Sequence, residues 1–169
     1  GRKIVRGLIS VIIPTYKRPE MLAQAIASVK AQDYLSIEIV VVDDCSEDKT
    51  EDIVTLFPDI QYYKNETNRG PGYSRKFALA KCNGEYVVFL DDDDYYTDPS
   101  FFSKAISKLS AHEEYVFVSG NAQILYVESS KNEESKLNVS GEMNSVEYLS
   151  GFPFKYKKPL STFTTVFRK

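Results

Sequence analysis

The sequence has 169 residues, of which 43% are hydrophobic and 27% charged, and its formal net charge is −3. These values suit one globular domain with its own core, and they give no bulk electrostatic reason to expect a nucleic-acid or membrane partner. The two cysteines, Cys45 and Cys82, offer neither a disulfide framework nor metal-ligand spacing, which indicates reduced thiols in a cytosolic protein. No apolar run approaches the roughly 20 residues that span a bilayer, and none at the start resembles a signal peptide.

Strands and helices alternate along the first hundred residues. Apolar runs predict buried strands at 8–13, 37–42, 60–63 and 86–90, and apolar residues at helical spacing predict helices at 19–31, around 53–57 and at 73–82. The third helix has Phe77, Leu79 and Ala80 as core candidates. This alternation is typical of a parallel sheet with helices on both faces and right-handed crossovers.

The pattern loosens after residue 99. The sequence predicts a helix at 100–110, strands at 115–118 and 122–127, a polar surface segment at 128–142 and a short helix at 144–150. Because there is neither an internal repeat nor a linker, we expect one domain.

Four consecutive aspartates, residues 91–94, directly follow the last of the buried strands. Two carboxylates about 4 Å apart repel each other by roughly 4 kcal/mol at an effective dielectric constant of 20, so this cluster indicates a positively charged partner. Side chains alternate along extended backbone, so Asp91 and Asp93 are expected on one side and Asp92 and Asp94 on the other. Such a carboxylate pair is a hard-oxygen site for Mg²⁺ or Mn²⁺. A merely solvated acidic turn is the alternative.

The carboxyl ends of three predicted strands should meet at one edge of the sheet, where open α/β sheets bind ligands. The segments that reach this edge are residues 14–18, the pair Asp43 and Asp44, aspartates 91–94, and the loop with Gly70, Gly72 and Arg75. This set suits a nucleoside diphosphate. A metal and Arg75 would neutralise the phosphates, while an aspartate accepts a hydrogen bond from a base N–H or a ribose hydroxyl.

Four short segments carry the most specific pattern in the sequence. They read Val-Ile-Ile-Pro-Thr-Tyr-Lys-Arg at 11–18, Val-Val-Asp-Asp-Cys-Ser at 41–46, Asn-Arg-Gly at 68–70 with Ser-Arg at 74–75, and Gly-Glu-Tyr-Val-Val-Phe-Leu before the four aspartates at 84–94. In this order and spacing, over about residues 8–127, they resemble the large family 2 of inverting nucleotide-sugar glycosyltransferases. The resemblance implies the GT-A fold, a Rossmann-like α/β fold with a mostly parallel sheet and helices on both faces. It also implies one GT-A domain over 1–169, with a nucleotide-binding half at 8–98 and the start of an acceptor-side half at 99–169, in a chain that continues further in the whole enzyme.

The resemblance also implies roles for single residues around the nucleotide. Those that would line the nucleotide pocket are Pro14, Thr15, Arg18 and Gly70. Asp44 would accept a hydrogen bond from the base, typically uracil, and Asp43 would support the loop that carries it. Arg75 would contact the base or the diphosphate.

The aspartate cluster has implied roles of its own. Asp91 would lie against the ribose and the metal, and Asp93 would ligate Mn²⁺ or Mg²⁺ through the phosphates. Asp92 occupies the variable middle position beside the nucleotide, and Asp94 would be a supporting or alternate ligand.

The implied reaction transfers a sugar from a nucleoside diphosphate, UDP in the first place, to a hydroxyl acceptor with inversion. The partners would be the nucleotide sugar and a glycan or lipid-linked acceptor, without nucleic acid, in the cytoplasm or at the inner face of its membrane. The general base is not identified, because the context of the late acidic residues Glu142 and Glu147 does not match the family. A non-catalytic nucleotide-sugar-binding module therefore remains an alternative. A receiver domain, a nucleotidyltransferase and a dinucleotide-binding oxidoreductase are disfavoured, because Pro-Thr-Tyr follows the first strand where they need an acidic pair or a glycine-rich loop.

Overall fold

A computed structural model of the chain describes residues 3–126, 131–135 and 164–169, with the backbone alone at 122–126 and 131–135. The elements, in chain order, are β1 (Val5–Thr15), α1 (Pro19–Lys30), β2 (Ile37–Asp43), α2 (Thr50–Thr55), β3 (Ile60–Lys64), α3 (Pro71–Lys81), β4 (Gly84–Phe89), α4 (Phe101–Ala111), β5 (Phe117–Ser119), β6 (Ala122–Tyr126), β7 (Lys131–Ser135) and β8 (Thr165–Arg168).

The main sheet has six strands in the order β3-β2-β1-β4-β8-β5. The first four are parallel, whereas β8 runs antiparallel to both β4 and β5. The chain builds outward from β1 through β2 to β3 and then returns to place β4 on the other side of β1. The neighbouring carboxyl ends of β1 and β4 therefore form the switch point at which open α/β sheets bind ligands.

Helices cover both faces of this sheet, as the alternating pattern predicts. One core lies under α1 and α4, and its largest fully buried side chains include Ile9, Ile13, Leu22, Ile26, Phe102 and Leu109. The other core lies under α3, and its buried members are Ile12, Val40, Val42, Ala78, Cys82 and Val87. Alternate residues of β1 enter opposite cores, since successive side chains of a strand point to opposite faces. The predicted α/β fold with a mostly parallel sheet is confirmed.

The buried side of α3 differs from the prediction. The helix begins at Pro71, and its buried residues are Ser74 and Ala78, whereas Leu79 is 36% exposed and Ala80 is exposed as well. Residues four apart lie on one face of a helix, so Ser74 and Ala78 form the contact stripe, and the next two positions turn away from it. The predictions for Leu79 and Ala80 are wrong. They are based on the size and apolarity of the side chains, which place the buried face of the helix one to two residues too far along the chain.

The last third of the described chain departs most from the sequence pattern. β5 is three residues long and starts at Phe117 rather than at residue 115. β7 lies inside the segment predicted to be a polar surface excursion and pairs antiparallel with β6 in a separate two-stranded sheet. Its Lys-Asn-Glu-Glu-Ser sequence contains no apolar residue, so no strand period was visible. The helix predicted at 144–150 lies outside the described residues, as do both late glutamates.

Candidate functional site

A cleft of about 190 Å³ opens at the carboxyl ends of β1 and β4. Its lining residues are Pro14, Thr15, Tyr16, Arg18, Asp44, Asn68, Gly70, Pro71, Ser74 and Asp92. Six of the predicted nucleotide-binding residues are among them: Pro14, Thr15, Arg18, Asp44, Gly70 and Asp92. The ring of Tyr16, which is 38% exposed, was not among the predicted site residues. Tyr16 lies between Thr15 and Arg18 in the first sequence motif, and this position could have identified it as a site residue.

Asp44 holds the loop of residues 65–70 against the end of β2. Its Oδ1 accepts hydrogen bonds from Arg69 N at 2.7 Å and Asn65 Nδ2 at 2.9 Å, and its Oδ2 accepts from Gly70 N at 2.7 Å. Burial by itself would raise the pKa of Asp44, but these hydrogen bonds lower it by more. Gly70 has φ of 82°, in the left-handed region that favours glycine, and leads directly into α3. Asp44 therefore fixes the chain that closes one side of the cleft.

Asp43 lies behind the cleft rather than in its wall. Its side chain is fully buried, with Oδ1 accepting from Ser46 N at 2.8 Å and Oδ2 accepting from the Tyr62 hydroxyl at 2.6 Å. Burial, followed by the hydrogen bond to Asp43, raises the pKa of Tyr62. The hydroxyl of Ser46 in turn accepts from Lys17 N at 2.8 Å. Asp43 thus connects the end of β2 to the β1–α1 loop, through contacts with the protein alone.

Three of the four aspartates after β4 lie together, and the fourth lies apart from them. Oxygen atoms of Asp91, Asp93 and Asp94 lie within 4.8 Å of one another, while Asp92 is buried separately. The prediction that Asp94 shares the side of Asp92 is wrong, because the backbone turns here and Asp94 N donates to Asp91 O at 3.1 Å. Strict alternation holds only for extended backbone, and β4 already ends at Phe89.

Asp92 ties the ends of β1 and β4 together. It is 3% exposed, and its Oδ2 accepts from Thr15 Oγ1 at 2.8 Å while its Oδ1 lies 3.3 Å from Arg18 Nε. Burial raises the pKa of Asp92, and the hydrogen bond from Thr15 and the charge of Arg18 oppose that rise only in part.

Thr15→Val is expected to raise the pKa of Asp92 further, because it removes the hydroxyl donor and keeps the shape of the side chain. We expect a loss of about 1–2 kcal/mol in unfolding free energy at neutral pH. This loss should shrink as the pH falls through the pKa of Asp92, since only the ionised carboxylate needs the donor. Carboxyl ¹³C NMR titration with parallel urea unfolding measures both effects. Thr55→Val, which removes an exposed hydroxyl on α2, is the matched control. An unchanged Asp92 titration in Thr15→Val would contradict the prediction.

Two arginines approach the aspartate cluster from opposite elements. Arg18, at the start of α1, donates from Nη1 to Asp93 Oδ2 at 2.9 Å. Arg75, on α3, donates from Nη2 to Asp91 Oδ1. Within the part of the chain that the structure describes, Arg75 Nε is buried and has no hydrogen-bond partner. Four carboxylates and two guanidinium groups leave this cluster with an excess of two negative charges.

A Rossmann-like sheet, a cleft at its switch point and an aspartate cluster beside that cleft are features of a GT-A glycosyltransferase. The comparison with known families agrees, since the model of the family described as "Glycosyl transferase family 2" matches residues 10–166. The chain belongs to glycosyltransferase family 2, and the resemblance seen in the sequence motifs is confirmed.

The chain is similar to several glycosyltransferases. The GalNAc(5)-diNAcBac-PP-undecaprenol beta-1,3-glucosyltransferase of Campylobacter jejuni is 36% identical over 168 residues, which is 95% of this chain and 52% of that protein. The chain thus spans about half the length of this relative. TarS of S. aureus, solved in complex with UDP, has a TM-score of 0.60 and 36% identity over 63% of this chain and 33% of that one. The mannosyltransferase PcManGT of Pyrobaculum calidifontis, solved with GDP-Man and Mn²⁺, has a TM-score of 0.61 and 28% identity. The match covers 68% of this chain and 35% of the PcManGT chain.

None of the helices described here combines the length and apolarity needed to cross a bilayer.

Proposed function

We propose that this chain binds a nucleoside diphosphate sugar, with UDP as the nucleotide, for transfer of the sugar to a hydroxyl acceptor with inversion. The observation that carries the proposal is the meeting of Asp44, Gly70 and Thr15 in one cleft, directly beside the carboxylates that follow β4. The UDP complex of TarS and the GDP-Man complex of PcManGT support a nucleotide as the ligand of this fold.

The carboxylates suit a divalent cation, Mn²⁺ or Mg²⁺. One carboxylate oxygen each of Asp91, Asp93 and Asp94 lies within 4.8 Å of the other two, and carboxylate oxygens are the ligands that both ions prefer. Asp91 and Asp93 would hold the ion, with Asp94 as a third carboxylate. When bound, it would act as a Lewis acid on the diphosphate oxygens and stabilise the charge of the leaving group. Because the cluster carries excess negative charge, we expect a diphosphate to be repelled unless a cation is present.

The protein's own groups would orient the nucleotide around that cation. Asp44 already uses three acceptor positions on the 65–70 loop, which leaves one of its roughly four lone-pair sites for a base N–H. The half-exposed ring of Tyr16 offers an aromatic wall for the base, and Asp91 would accept from a ribose hydroxyl. Arg75 Nε–H has no acceptor among the described residues, and a phosphate oxygen could accept from it.

The acceptor hydroxyl would attack the anomeric carbon while the diphosphate leaves, and its proton would pass to a general base. Asp44, Asp91, Asp92 and Asp93 are each held by a hydrogen bond or an ion pair within the protein, and we assign them to binding rather than to proton transfer. A module that binds the nucleotide sugar without turning it over is the second candidate. Release of UDP from UDP-sugars in the presence of hydroxyl acceptors separates the two.

The acceptor we propose is a glycan on a lipid carrier, by analogy with the undecaprenol-linked acceptor in the name of the Campylobacter relative. Such an acceptor would place the reaction at the cytoplasmic face of a membrane. Vesicles that contain a polyprenyl-diphosphate-linked sugar, compared with the same sugar free in solution, test this part of the proposal.

Asp93→Asn is expected to weaken Mn²⁺-dependent UDP binding at least about tenfold, because it removes a charged ligand. Calorimetric titration with UDP and with GDP, each with and without Mn²⁺, measures the metal dependence and the choice of base. Asp98→Asn is the matched control, since Asp98 is exposed and pairs with Lys104 on α4, outside the site. The proposal fails if the folded wild-type chain binds neither nucleotide, or if Asp93→Asn binds UDP with Mn²⁺ as tightly as wild type does.

A further inference from the structure

Arg18 bridges two aspartates that differ sharply in exposure. Its Nε lies 3.3 Å from Asp92 Oδ1, and its Nη1 donates to Asp93 Oδ2 at 2.9 Å. The Asp92 side chain is 3% exposed, whereas those of Arg18 and Asp93 are 48% and 50% exposed. Asp92 is in addition held in place by Thr15. One end of the bridge is therefore buried and held by Thr15, and the other lies between two side chains that are about half exposed to solvent.

The exposed end of the bridge is the carboxylate proposed to ligate the metal. A guanidinium on Asp93 occupies one of its oxygens and places a positive charge next to the position of the ion. A cation on Asp93 would be repelled by the positive charge of Arg18, so cation binding favours movement of Arg18 away from Asp93. The contact with buried Asp92 keeps the displaced Arg18 within reach of the cleft, which it also lines.

We infer that Arg18 is a built-in counter-ion that leaves Asp93 for the diphosphate when the cation arrives. This inference rests on the proposed function, because it assigns a second position to Arg18 within the same site. A guanidinium pairs with phosphate oxygens in the same bidentate way as with a carboxylate, so the diphosphate can take the place of Asp93 as the partner of Arg18. The exchange makes Arg18 a positioning residue that couples the two ligands: the cation alone binds weakly, the diphosphate alone binds weakly, and each favours the other.

The coupling predicts effects of opposite sign in a single variant. Arg18→Gln is expected to bind Mn²⁺ roughly three- to tenfold more tightly than wild type without nucleotide, because a competing ion pair and a repelling charge are gone. The same variant should bind UDP with Mn²⁺ about tenfold more weakly, because a charge-assisted hydrogen bond to phosphate is lost. Free Mn²⁺ measured by electron paramagnetic resonance gives the first value, and calorimetry gives the second.

Two variants serve as controls. Arg18→Lys keeps the positive charge and should retain the weak Mn²⁺ binding of wild type, although it cannot bridge both aspartates as a fork. Lys104→Gln removes a cation from an exposed ion pair on α4 and should change neither affinity. Far-ultraviolet circular dichroism and thermal unfolding establish that each variant is folded.

The titration with Mn²⁺ alone decides the inference without using nucleotide. Tighter Mn²⁺ binding in Arg18→Gln than in wild type supports it, and equal or weaker binding, including no binding by either protein, overturns it. Failure of the proposed function would be seen differently, as a folded wild-type chain that binds no nucleoside diphosphate in the presence of Mn²⁺.

Discussion

Asp44→Ala is expected to abolish measurable nucleoside diphosphate binding and to lower the unfolding free energy by about 2–4 kcal/mol. The substitution removes the carboxylate that accepts hydrogen bonds from Arg69 N, Gly70 N and Asn65 Nδ2. Donors left without a partner cost more than the hydrogen bonds contributed, so the 65–70 loop should detach from β2. Hydrogen exchange at the Arg69 and Gly70 amides, urea unfolding and calorimetry with UDP measure these three effects.

The acid dependence of stability gives a second readout of the same contacts. Because the pKa of Asp44 is lowered in the folded protein, its stabilising effect is present above the unfolded pKa of about 3.9 and is lost as the pH falls through the lower folded value. Asp44→Ala should therefore lose less stability than wild type over that acidic range. Glu47→Ala, which changes an exposed carboxylate on the same β2–α2 connection, is the control and should stay within about 0.5 kcal/mol of wild type. Wild-type exchange rates at both amides in Asp44→Ala would contradict the role of Asp44.

The placement of the cleft could be predicted from the sequence, because it follows from the order of elements. Buried apolar runs that alternate with helices define a parallel sheet, and parallel strands end at the same edge. The loops after β1, β2 and β4 therefore had to meet. The order of elements brings these loops together whatever the contacts of individual side chains are, and Thr15, Asp44 and Asp92 accordingly line one cleft.

The partners of the site residues could not be predicted in the same way. The two backbone donors to Asp44 lie 25 and 26 residues further along the chain, and Arg18 lies 75 residues from Asp93. Residue spacing carries no signal for such pairs, because they form only after the sheet has brought the loops together. The division of aspartates 91–94 was missed for a local reason, since the turn after β4 ends the alternation on which the expectation depended.

Gly84→Ala tests the other end of β4, where the sheet leaves no space for a side chain. A Cβ at this position would lie 2.5 Å from Ser10 Oγ, 2.7 Å from Leu8 O and 2.8 Å from Ser10 N. Two of these three atoms belong to the backbone of β1 and cannot move without disturbing the pairing of β1 with β4. We expect the unfolding free energy to fall by about 2–4 kcal/mol, measured by urea unfolding.

Gly72→Ala is the matched control, because a Cβ there would meet nothing within 4 Å and its φ does not require glycine. In the first turn of α3, this substitution should leave the unfolding free energy unchanged or raise it by up to about 1 kcal/mol.

The double variant Ser10→Gly with Gly84→Ala distinguishes the side-chain obstacle, Ser10 Oγ, from the two backbone obstacles, Leu8 O and Ser10 N. If the hydroxyl of Ser10 were the main obstacle, the second change would restore stability. Because Leu8 O and Ser10 N remain in place, we expect the double variant to be no more stable than Gly84→Ala alone. A loss below about 0.5 kcal/mol in Gly84→Ala would mean that β1 and β4 separate more easily than this packing allows.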